Sequence, residues 1–281
     1  MRLKALYRVA KPGIVYGNLI TVVAGYLLAS GLKVHATSLA AAVFGIAMVI
    51  ASACVANNLA DRDIDSIMER TNKRPSVSGE ISVGAGVIYA LVLAAIGFSI
   101  LALFTSQWCV VIGLVGYVDY ALLYTYFKRK TYHATLIGSI SGAVPIIGGY
   151  AAYSGHLTPA AWIIGAMMLV WQMPHFYSIA LFRAKDYRRA GIPVMPAVLG
   201  RKTTGVWMVF YAALFLAAAL LLYFYGPVGL AYLSVMGAVA LAWLVFNIRG
   251  LVSGLADQWA KQNFRYSLIV MLVMSAAIAL H

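Results

Sequence analysis

Oxygen-bearing side chains recur at helical spacing between residues 57 and 75, where the sequence reads NNLADRDIDSIMERTNKRP. Asn57, Asp61 and Asp65 are four residues apart in turn, so a continuing helix places them in one ridge, roughly 40° and roughly 6 Å from one to the next. Carboxylates four apart destabilise a helix unless a cation lies between them, and oxygen ligands suit a hard divalent ion. The spacing therefore predicts a Mg²⁺ site.

This segment also concentrates charge in a chain of 281 residues that is 63% hydrophobic and only 10% charged. It holds four of the eight acidic residues and four of the 21 basic ones. A polar loop that merely leaves a membrane helix can also be rich in Asp and Arg. Because Arg70, Lys73 and Arg74 follow the ridge and could bind an anion bridged by the metal, the combination favours a functional site.

Hydrophobic helices must position this segment. Long apolar runs recur along the whole chain, which predicts an all-α polytopic membrane protein and excludes a soluble one. We expect a single domain over residues 1–281, because no linker or composition shift divides the chain, and we expect the first apolar run to remain as a permanent span. Nine transmembrane helices in one bundle are predicted at roughly residues 14–32, 39–59, 81–104, 108–127, 134–153, 160–182, 205–225, 228–247 and 264–280.

The Lys and Arg residues predict how the bundle is oriented. Twenty of the 21 lie in the N-terminal segment or in the connections after the even-numbered spans, and only Lys33 lies on the other side. The positive-inside rule then places the N-terminus in the cytoplasm and the C-terminus outside. Every acidic residue except Asp119 falls on the cytoplasmic side as well, so chemistry is expected at that face. This asymmetry accounts for most of the net charge of +13, so nucleic acid is not an expected partner.

A second polar loop, FRAKDYRRAGIPVMP over residues 182–196, is predicted on the same side of the membrane. Asp186 lies in it among Lys185, Arg188 and Arg189, and two prolines prevent a long helix from continuing. With the first loop on the same face, Asp186 could supply a third carboxylate beside a diphosphate. Two further basic residues at this level, after the fourth span, either serve the site or only anchor the topology; they are Lys128 and Arg129.

Strongly polar side chains inside a predicted span are costly in lipid and are therefore functional candidates. His175, in the sequence WQMPHF, lies 11 residues before Asp186, on the order of 16 Å deeper if the helix is continuous. Pro174 is expected to kink that helix and free a carbonyl. Trp171 and Gln172 nearby indicate a pocket, while a hydrogen-bonded packing role for His175 remains the alternative.

Other polar or small residues within the spans are weaker candidates. Asn18 and Asp119 lie in the first and fourth predicted spans, and the sequence offers no partner for Asp119. The glycines of GSISGAVPIIGGY lie inside an apolar span, so we interpret them as helix-contact points rather than a phosphate cradle. Cys54 and Cys109 fall near opposite faces of the membrane, so no disulfide is expected between them.

Five blocks of the sequence resemble one known family. They are NNLADRDIDSIMERTNKRP, YTYFKRKT, GSISGAVPIIGGY, WQMPHF and KDYRRAGIPVMP, and they extend from the second to the start of the seventh predicted helix. In these blocks the chain resembles the protoheme IX farnesyltransferases (heme O synthases), a branch of the UbiA-type intramembrane prenyltransferase superfamily. It departs from the superfamily pattern at Asn58 and Ala190, where relatives often carry acids, and at Ala134, where Asn is common.

The resemblance implies transfer of a farnesyl group from farnesyl diphosphate to a vinyl group of heme B, with addition of water, giving heme O and diphosphate. A vinyl carbon is a weak nucleophile, so Mg²⁺ and basic side chains must promote the departure of diphosphate. The implied catalytic residues are Asn57, Asp61, Asp65 and Asp186, of which the three acids hold Mg²⁺; the diphosphate is held by Arg62, Arg74, Lys128, Arg129 and Lys185; the heme end is lined by His175, Trp171 and Gln172.

The resemblance also implies a setting in the lipid bilayer of a bacterial inner membrane, with heme A synthase or a terminal oxidase assembly as candidate partners. Two alternatives stay open. Another UbiA-type prenyltransferase would act on a quinone precursor or a chlorophyll-type acceptor, against which WQMPHF and the single Asp of the second motif argue. A transporter would use half-helix ends as an ion site, against which the nearly uncharged outer connections argue.

Overall fold

The structure, a computed structural model, describes residues 3–278, and over that range the regular elements are all helical. The helices are α1 (Leu3–Val9), α2 (Pro12–Ser30), α3 (Ala36–Ala60), α4 (Arg62–Ile67), α5 (Val83–Phe104), α6 (Gln107–Val118), a π-helical segment (Asp119–Tyr124), α7 (Thr125–Phe127), α8 (Ala134–Ser154), α9 (Pro159–Phe182), α10 (Ala184–Arg189), α11 (Met195–Val198), α12 (Gly200–Tyr225), α13 (Leu230–Val252) and α14 (Asp257–Ala277).

Eight helical stretches of the described chain are long and apolar enough to cross a membrane, and α6, the π-helical segment and α7 form one of them, Gln107–Phe127. The prediction of an all-α, multi-span bundle is confirmed. The ninth long helix, α14, begins seven residues before the predicted span and carries Asp257, Lys261 and Arg265 in its first half. Because of this charge, α14 is not among the helices that are apolar enough to cross a membrane. The count of nine spans and the orientation of the termini therefore stay predictions, and residues 279 and 280 of the last span lie outside the described range.

Glycines bring α8 into backbone contact with its neighbours. A Cβ atom added to Gly25 of α2 would lie 1.9 Å from the carbonyl oxygen of Ile146, and one added to Gly149 would lie 2.0 Å from that of Val22. On the α9 side, a Cβ at Gly142 would lie 1.9 Å from Oε1 of Gln172. Small residues permit this close approach of membrane helices. The interpretation of these glycines as helix-contact points is confirmed.

A buried acid begins the π-helical segment, which widens the helix by one residue per turn. Asp119 is 2% exposed, and its Oδ2 accepts a hydrogen bond of 2.9 Å from the main-chain N–H of Ser141 on α8. This main-chain group is the partner that the sequence could not identify. The hydrogen bond therefore joins the fourth predicted span to the fifth.

The two cysteines are unpaired and buried, as expected. Because they are shielded from reagents, thiol labelling can test the predicted orientation. His156 and Ser78 are exposed at opposite ends of the bundle. In sealed right-side-out vesicles, we expect an impermeant maleimide to label His156→Cys and to spare Ser78→Cys, with the pattern reversed in inside-out vesicles. Labelling of Ser78→Cys from outside would invert the topology and move the polar loops to the other face.

Candidate active site

The predicted ridge survives the end of α3. The helix stops at Ala60, and Asp61 has φ −95° and ψ 5°. The main-chain N–H of Asp61 still donates to Asn57 O at 3.0 Å, and that of Asp65 donates to Asp61 O at 2.8 Å. The three polar side chains are 2–3% exposed. Their helical spacing is therefore kept across the junction between α3 and α4, although α4 lasts only six residues.

Each buried carboxylate of the ridge is paired with a cation. Asp61 Oδ2 accepts a short hydrogen bond from Lys128 Nζ, and Asp65 Oδ2 accepts one of 2.5 Å from Arg74 Nη1. Arg74 also donates to Asn58 Oδ1 at 3.0 Å. An unpaired buried charge is costly, so these cations let the acids stay buried. Burial lowers the pKa of Lys128, and the neighbouring Asp61 carboxylate opposes that shift.

Arg129 clamps the end of α3. Its guanidinium donates to both oxygens of Asp63, at 2.6 and 2.7 Å, and to Ala60 O at 2.7 Å. Its hydrogen bond to Asp63 lowers the pKa of that carboxyl to about 2. Arg129 Nη2 also lies 3.6 Å from Asp61 Oδ1. Three of the five residues predicted to bind diphosphate therefore contact the acids of the ridge: Arg74, Lys128 and Arg129. Of the other two, Arg62 is half-buried and Lys185 is exposed, and neither joins an ion pair among residues 3–278.

The second polar loop contacts the first. Asp186, on α10 and 8% exposed, accepts a hydrogen bond of 3.1 Å at Oδ1 from the main-chain N–H of Glu69. Arg189 Nη1 lies 2.7 Å from Glu69 Oε1, an exposed pair that contributes little to stability. The third predicted acid is therefore brought to the same end of the bundle as the ridge.

Buried carboxylate oxygens without partners indicate where the site could hold a metal. In residues 3–278, no three His, Cys, Asp or Glu side chains are grouped closely enough to hold an ion by themselves. Within the same range, Asp61 Oδ1 and Asp186 Oδ2 are buried carboxylate oxygens without a hydrogen-bond partner. Mg²⁺ is usually bound by one or two carboxylates together with water and substrate phosphates. Free oxygens on two contacting loops fit that mode, and the three-acid metal site stays a prediction.

Lys11 is a site residue that was not predicted, because it was considered only as one of the basic residues that indicate the orientation in the membrane. It precedes Pro12 in the left-handed conformation, with φ 54°. Its Nζ donates to Asn57 Oδ1 at 2.6 Å and to Tyr120 Oη at 3.3 Å. Asn57 in turn donates from Nδ2 to Thr125 Oγ1 at 2.7 Å. The local sequence holds no pattern that predicts this contact with Asn57, which lies 46 residues away. Burial lowers the pKa of Lys11 from 10.5 to about 8.

This pKa predicts a pH dependence of substrate binding. In the folded protein Lys11 loses its charge above pH about 8, whereas the unfolded chain keeps it, so folding stability gains between that pH and the ordinary lysine value. Binding of an anionic substrate should weaken as the folded protein loses this charge, around pH 8. We expect KM for a prenyl diphosphate to rise between pH about 7 and about 9. Lys11→Arg, which stays charged, should remove that rise. An unchanged pH profile in Lys11→Arg would contradict a role for Lys11 in anion binding.

Aromatic rings form a wall beside these cations. Tyr120 and Tyr124, on the π-helical segment, are stacked with ring centroids 5.5 Å apart. Lys11 Nζ lies 5.6 Å from the Tyr120 centroid and Lys128 Nζ lies 5.3 Å from that of Tyr124. The faces of such rings attract positive charge. The wall therefore offers an apolar, cation-tolerant surface next to the buried acids.

The three residues predicted deeper in the bundle lie together on α9 and are buried. Trp171 stacks on His175 with centroids 4.9 Å apart, and its Nε1 donates to Ser267 O at 2.8 Å. Gln172 Nε2 donates to Ser139 O at 2.9 Å. His175 Nδ1 lies 2.8 Å from Ser267 Oγ. These hydrogen bonds and ring contacts hold the three side chains in place within the bundle, and contact of His175, Trp171 and Gln172 with a ligand stays a prediction.

A bundle of membrane-length helices holds, at one end, two contacting loops with buried acids, an array of cations and an aromatic wall. This arrangement suits a substrate with an anionic head and an apolar tail, the substrate class of intramembrane prenyltransferases. The model of the UbiA prenyltransferase family matches residues 18–269. The chain belongs to the UbiA prenyltransferase family.

Relatives and solved structures agree with this assignment. The chain is 43% identical over 279 residues to the protoheme IX farnesyltransferase of Marinomonas sp. (strain MWYL1), covering 99% of this chain and 94% of that one. It is 42% identical over 281 residues to protoheme IX farnesyltransferase 2 of Pseudomonas aeruginosa (strain UCBPP-PA14), covering 100% and 95%. The fold is similar to an apo UbiA homolog from Aeropyrum pernix K1, at TM-score 0.75 and 20% identity, covering 95% and 97%. It is also similar to a UbiA homolog from Archaeoglobus fulgidus bound to GPP and Mg²⁺, at TM-score 0.73 and 14% identity, covering 98% and 100%.

Proposed function

We propose that this protein transfers the farnesyl group of farnesyl diphosphate to a vinyl group of heme B, with addition of water, giving heme O and diphosphate. The observation that carries a diphosphate reaction is the meeting of the two polar loops: Asp61 and Asp65 are buried beside Lys128 and Arg74, and the buried Asp186 of the second loop accepts a hydrogen bond from Glu69 of the first. The choice of acceptor rests on the full-length likeness to relatives named protoheme IX farnesyltransferase.

The chain's own residues would bind the diphosphate through charge. Lys11, Lys128 and Arg74 lie among the acids of the ridge and can turn part of their hydrogen bonding toward phosphate oxygens. Mg²⁺, held by Asp61, Asp65 and Asp186, would neutralise the charge that develops as diphosphate leaves. The GPP- and Mg²⁺-bound Archaeoglobus homolog supports this choice of metal. No covalent nucleophile is needed.

Farnesyl transfer to the vinyl group requires the following bond changes. The C1–O bond of farnesyl diphosphate breaks and its electron pair leaves with diphosphate. The π electrons of the vinyl group form the new carbon–carbon bond, which leaves a cation on the carbon next to the porphyrin. Water adds there and loses a proton. Stacked Tyr120 and Tyr124 can shield the first cation without trapping it, because their faces attract positive charge without forming a bond.

Both substrates are lipophilic, and the protein's setting follows from that. The polar loops would face the cytoplasm of a bacterium whose inner membrane holds the bundle, and the prenyl chain would extend from the loops toward the interior. His175 lies at the deeper level and would face the heme. The candidate protein partners are heme A synthase or a terminal oxidase assembly, which would receive the product.

Acceptor choice tests this proposal against its main alternative. Membranes containing the protein are given isotopically labelled farnesyl diphosphate and offered heme B, a quinone precursor or a chlorophyll-type acceptor in parallel. We expect label in the porphyrin fraction only, and only with the wild-type ridge. Label transferred to a quinone precursor instead of heme B would overturn the assignment of the acceptor while keeping the prenyltransferase class.

A further inference from the structure

One hydrogen-bonding chain in the deeper half of the bundle determines which nitrogen of a histidine carries its proton. Ser267, on α14, donates its hydroxyl hydrogen to Phe264 O at 2.6 Å. The same Oγ lies 2.8 Å from His175 Nδ1 on α9. A serine hydroxyl has a single hydrogen and two lone pairs. With that hydrogen directed at Phe264 O, Oγ accepts from Nδ1–H of the imidazole, and we assign His175 the Nδ1–H tautomer on this arrangement.

The surroundings of His175 favour a neutral ring. It is 7% exposed, and the ring centroids of Trp171, Phe264 and Phe176 lie 4.9, 4.9 and 5.1 Å from its own. No acidic side chain contacts it within residues 3–278. A charged imidazolium in such a place would be costly. A neutral ring with its proton on Nδ1 leaves Nε2 as a bare lone pair.

The serine itself is held in place from a second direction. Trp171 Nε1 donates to the main-chain oxygen of Ser267 at 2.8 Å, so the residue that stacks on the imidazole also fixes the backbone of its hydrogen-bond partner. Ring orientation and tautomer are therefore set together. Histidines that bind metals are commonly oriented in this way, through a hydrogen bond from the other ring nitrogen.

We propose that Ser267 is a positioning residue, which fixes His175 as the Nδ1–H tautomer so that Nε2 ligates the iron of the porphyrin substrate. This inference rests on the proposed function, since it takes heme as the acceptor. A neutral imidazole nitrogen is a common axial ligand of heme iron. The hydroxyl acts only through the imidazole and does not touch the porphyrin.

The test is a titration of purified protein with heme B, without farnesyl diphosphate, followed by absorption and electron paramagnetic resonance spectroscopy. We expect wild-type protein to show an imidazole-ligated iron spectrum that His175→Ala loses. Ser267→Ala should weaken heme binding by about 10-fold or more and alter the ligand-field signature, as loss of an orienting partner does at metal sites. Ser267→Thr, which keeps a hydroxyl, should restore both. The main-chain bond from Trp171 is retained in each Ser267 variant.

Matched controls separate positioning from packing. Ser275→Ala changes the same residue type on α14 at a hydroxyl that has no hydrogen-bond partner in the described chain, and it should leave the spectrum unchanged. Metal-free protoporphyrin IX should bind Ser267→Ala and wild type equally, because it has no iron to ligate. Equal weakening with both porphyrins would show a packing role and overturn the inference. A wild-type spectrum in His175→Ala or Ser267→Ala would also overturn the inference, provided that the wild-type protein forms heme O. Failure of the wild-type protein to form heme O would instead count against the proposed function.

Discussion

Replacing Asp61 with Asn is expected to lower turnover by at least about 100-fold, because loss of a metal-binding charge removes several kcal/mol of transition-state stabilisation. The change is isosteric and the remaining amide oxygen can still accept the hydrogen bond from Lys128 Nζ, but it leaves that buried cation without its counter-charge, so turnover is compared at a temperature at which the variant is folded. Asp65→Asn should act in the same direction, since its carboxylate lies one turn further along the ridge and is equally buried. The measurement is the Mg²⁺ dependence of product formation by purified variants.

Asp63→Asn is the matched control for these variants. Asp63 lies between the two ridge acids in sequence, yet its side chain is 64% exposed and is paired with Arg129. An exposed pair of this kind contributes little, so turnover should stay close to wild type. Full Mg²⁺-dependent activity in both Asp61→Asn and Asp65→Asn would contradict the metal assignment.

The second large effect is expected on stability. Lys128→Met removes the cation that binds Asp61 Oδ2 and leaves the buried carboxylate only the longer contact of 3.6 Å with Arg129; breaking a buried ion pair costs about 3–5 kcal/mol. We expect a marked fall in the thermal denaturation temperature of the detergent-solubilised protein. The double variant Lys128→Met with Asp61→Asn should recover much of that loss, because the uncompensated charge has gone. Both variants should be inactive.

Lys130→Met controls for the loss of a lysine at the same membrane border. Lys130 is exposed and only lies over the ring of Tyr126, at 6.0 Å from its centroid. Its removal should change the denaturation temperature little. Denaturation temperatures of Lys128→Met and Lys130→Met that were both close to the wild-type value would show that the ion pair between Lys128 and Asp61 does not stabilise the fold.

The parts of the site that follow from local spacing could be predicted from the sequence. Asn57, Asp61 and Asp65 keep their ridge because the main-chain hydrogen bonds four residues apart continue through the end of α3. Hydropathy predicted nine spans, and the described chain has eight helical stretches of spanning length and composition, since helices that face lipid must be apolar. The ninth stays a prediction, because α14 carries charge in its first half and buries some of its polar side chains against α9 and α13. Asn263 on α14, for example, bonds Trp243 and Ser178.

The parts that depend on tertiary packing could not be predicted. Lys11 reaches Asn57 across 46 residues from a left-handed backbone conformation, and neither feature leaves a pattern in the local sequence. The protein partners of the basic residues were also undetermined: Arg129 binds Asp63 and the end of α3 in the structure, and its contact with diphosphate stays a prediction. Charge spacing along a chain shows which groups are near the membrane surface, and only the fold decides which of them meet.

Farnesyl transfer to heme B can be tested by incubating purified protein with heme B, farnesyl diphosphate and Mg²⁺ in water enriched in ¹⁸O, followed by mass analysis of the porphyrin. We predict a product that carries one farnesyl group and one hydroxyl labelled with ¹⁸O, and no such product when farnesyl diphosphate or Mg²⁺ is omitted or when Asp61→Asn replaces the wild type. A porphyrin of unchanged mass after incubation with folded wild-type protein and all three components would contradict farnesyl transfer to heme B by this protein.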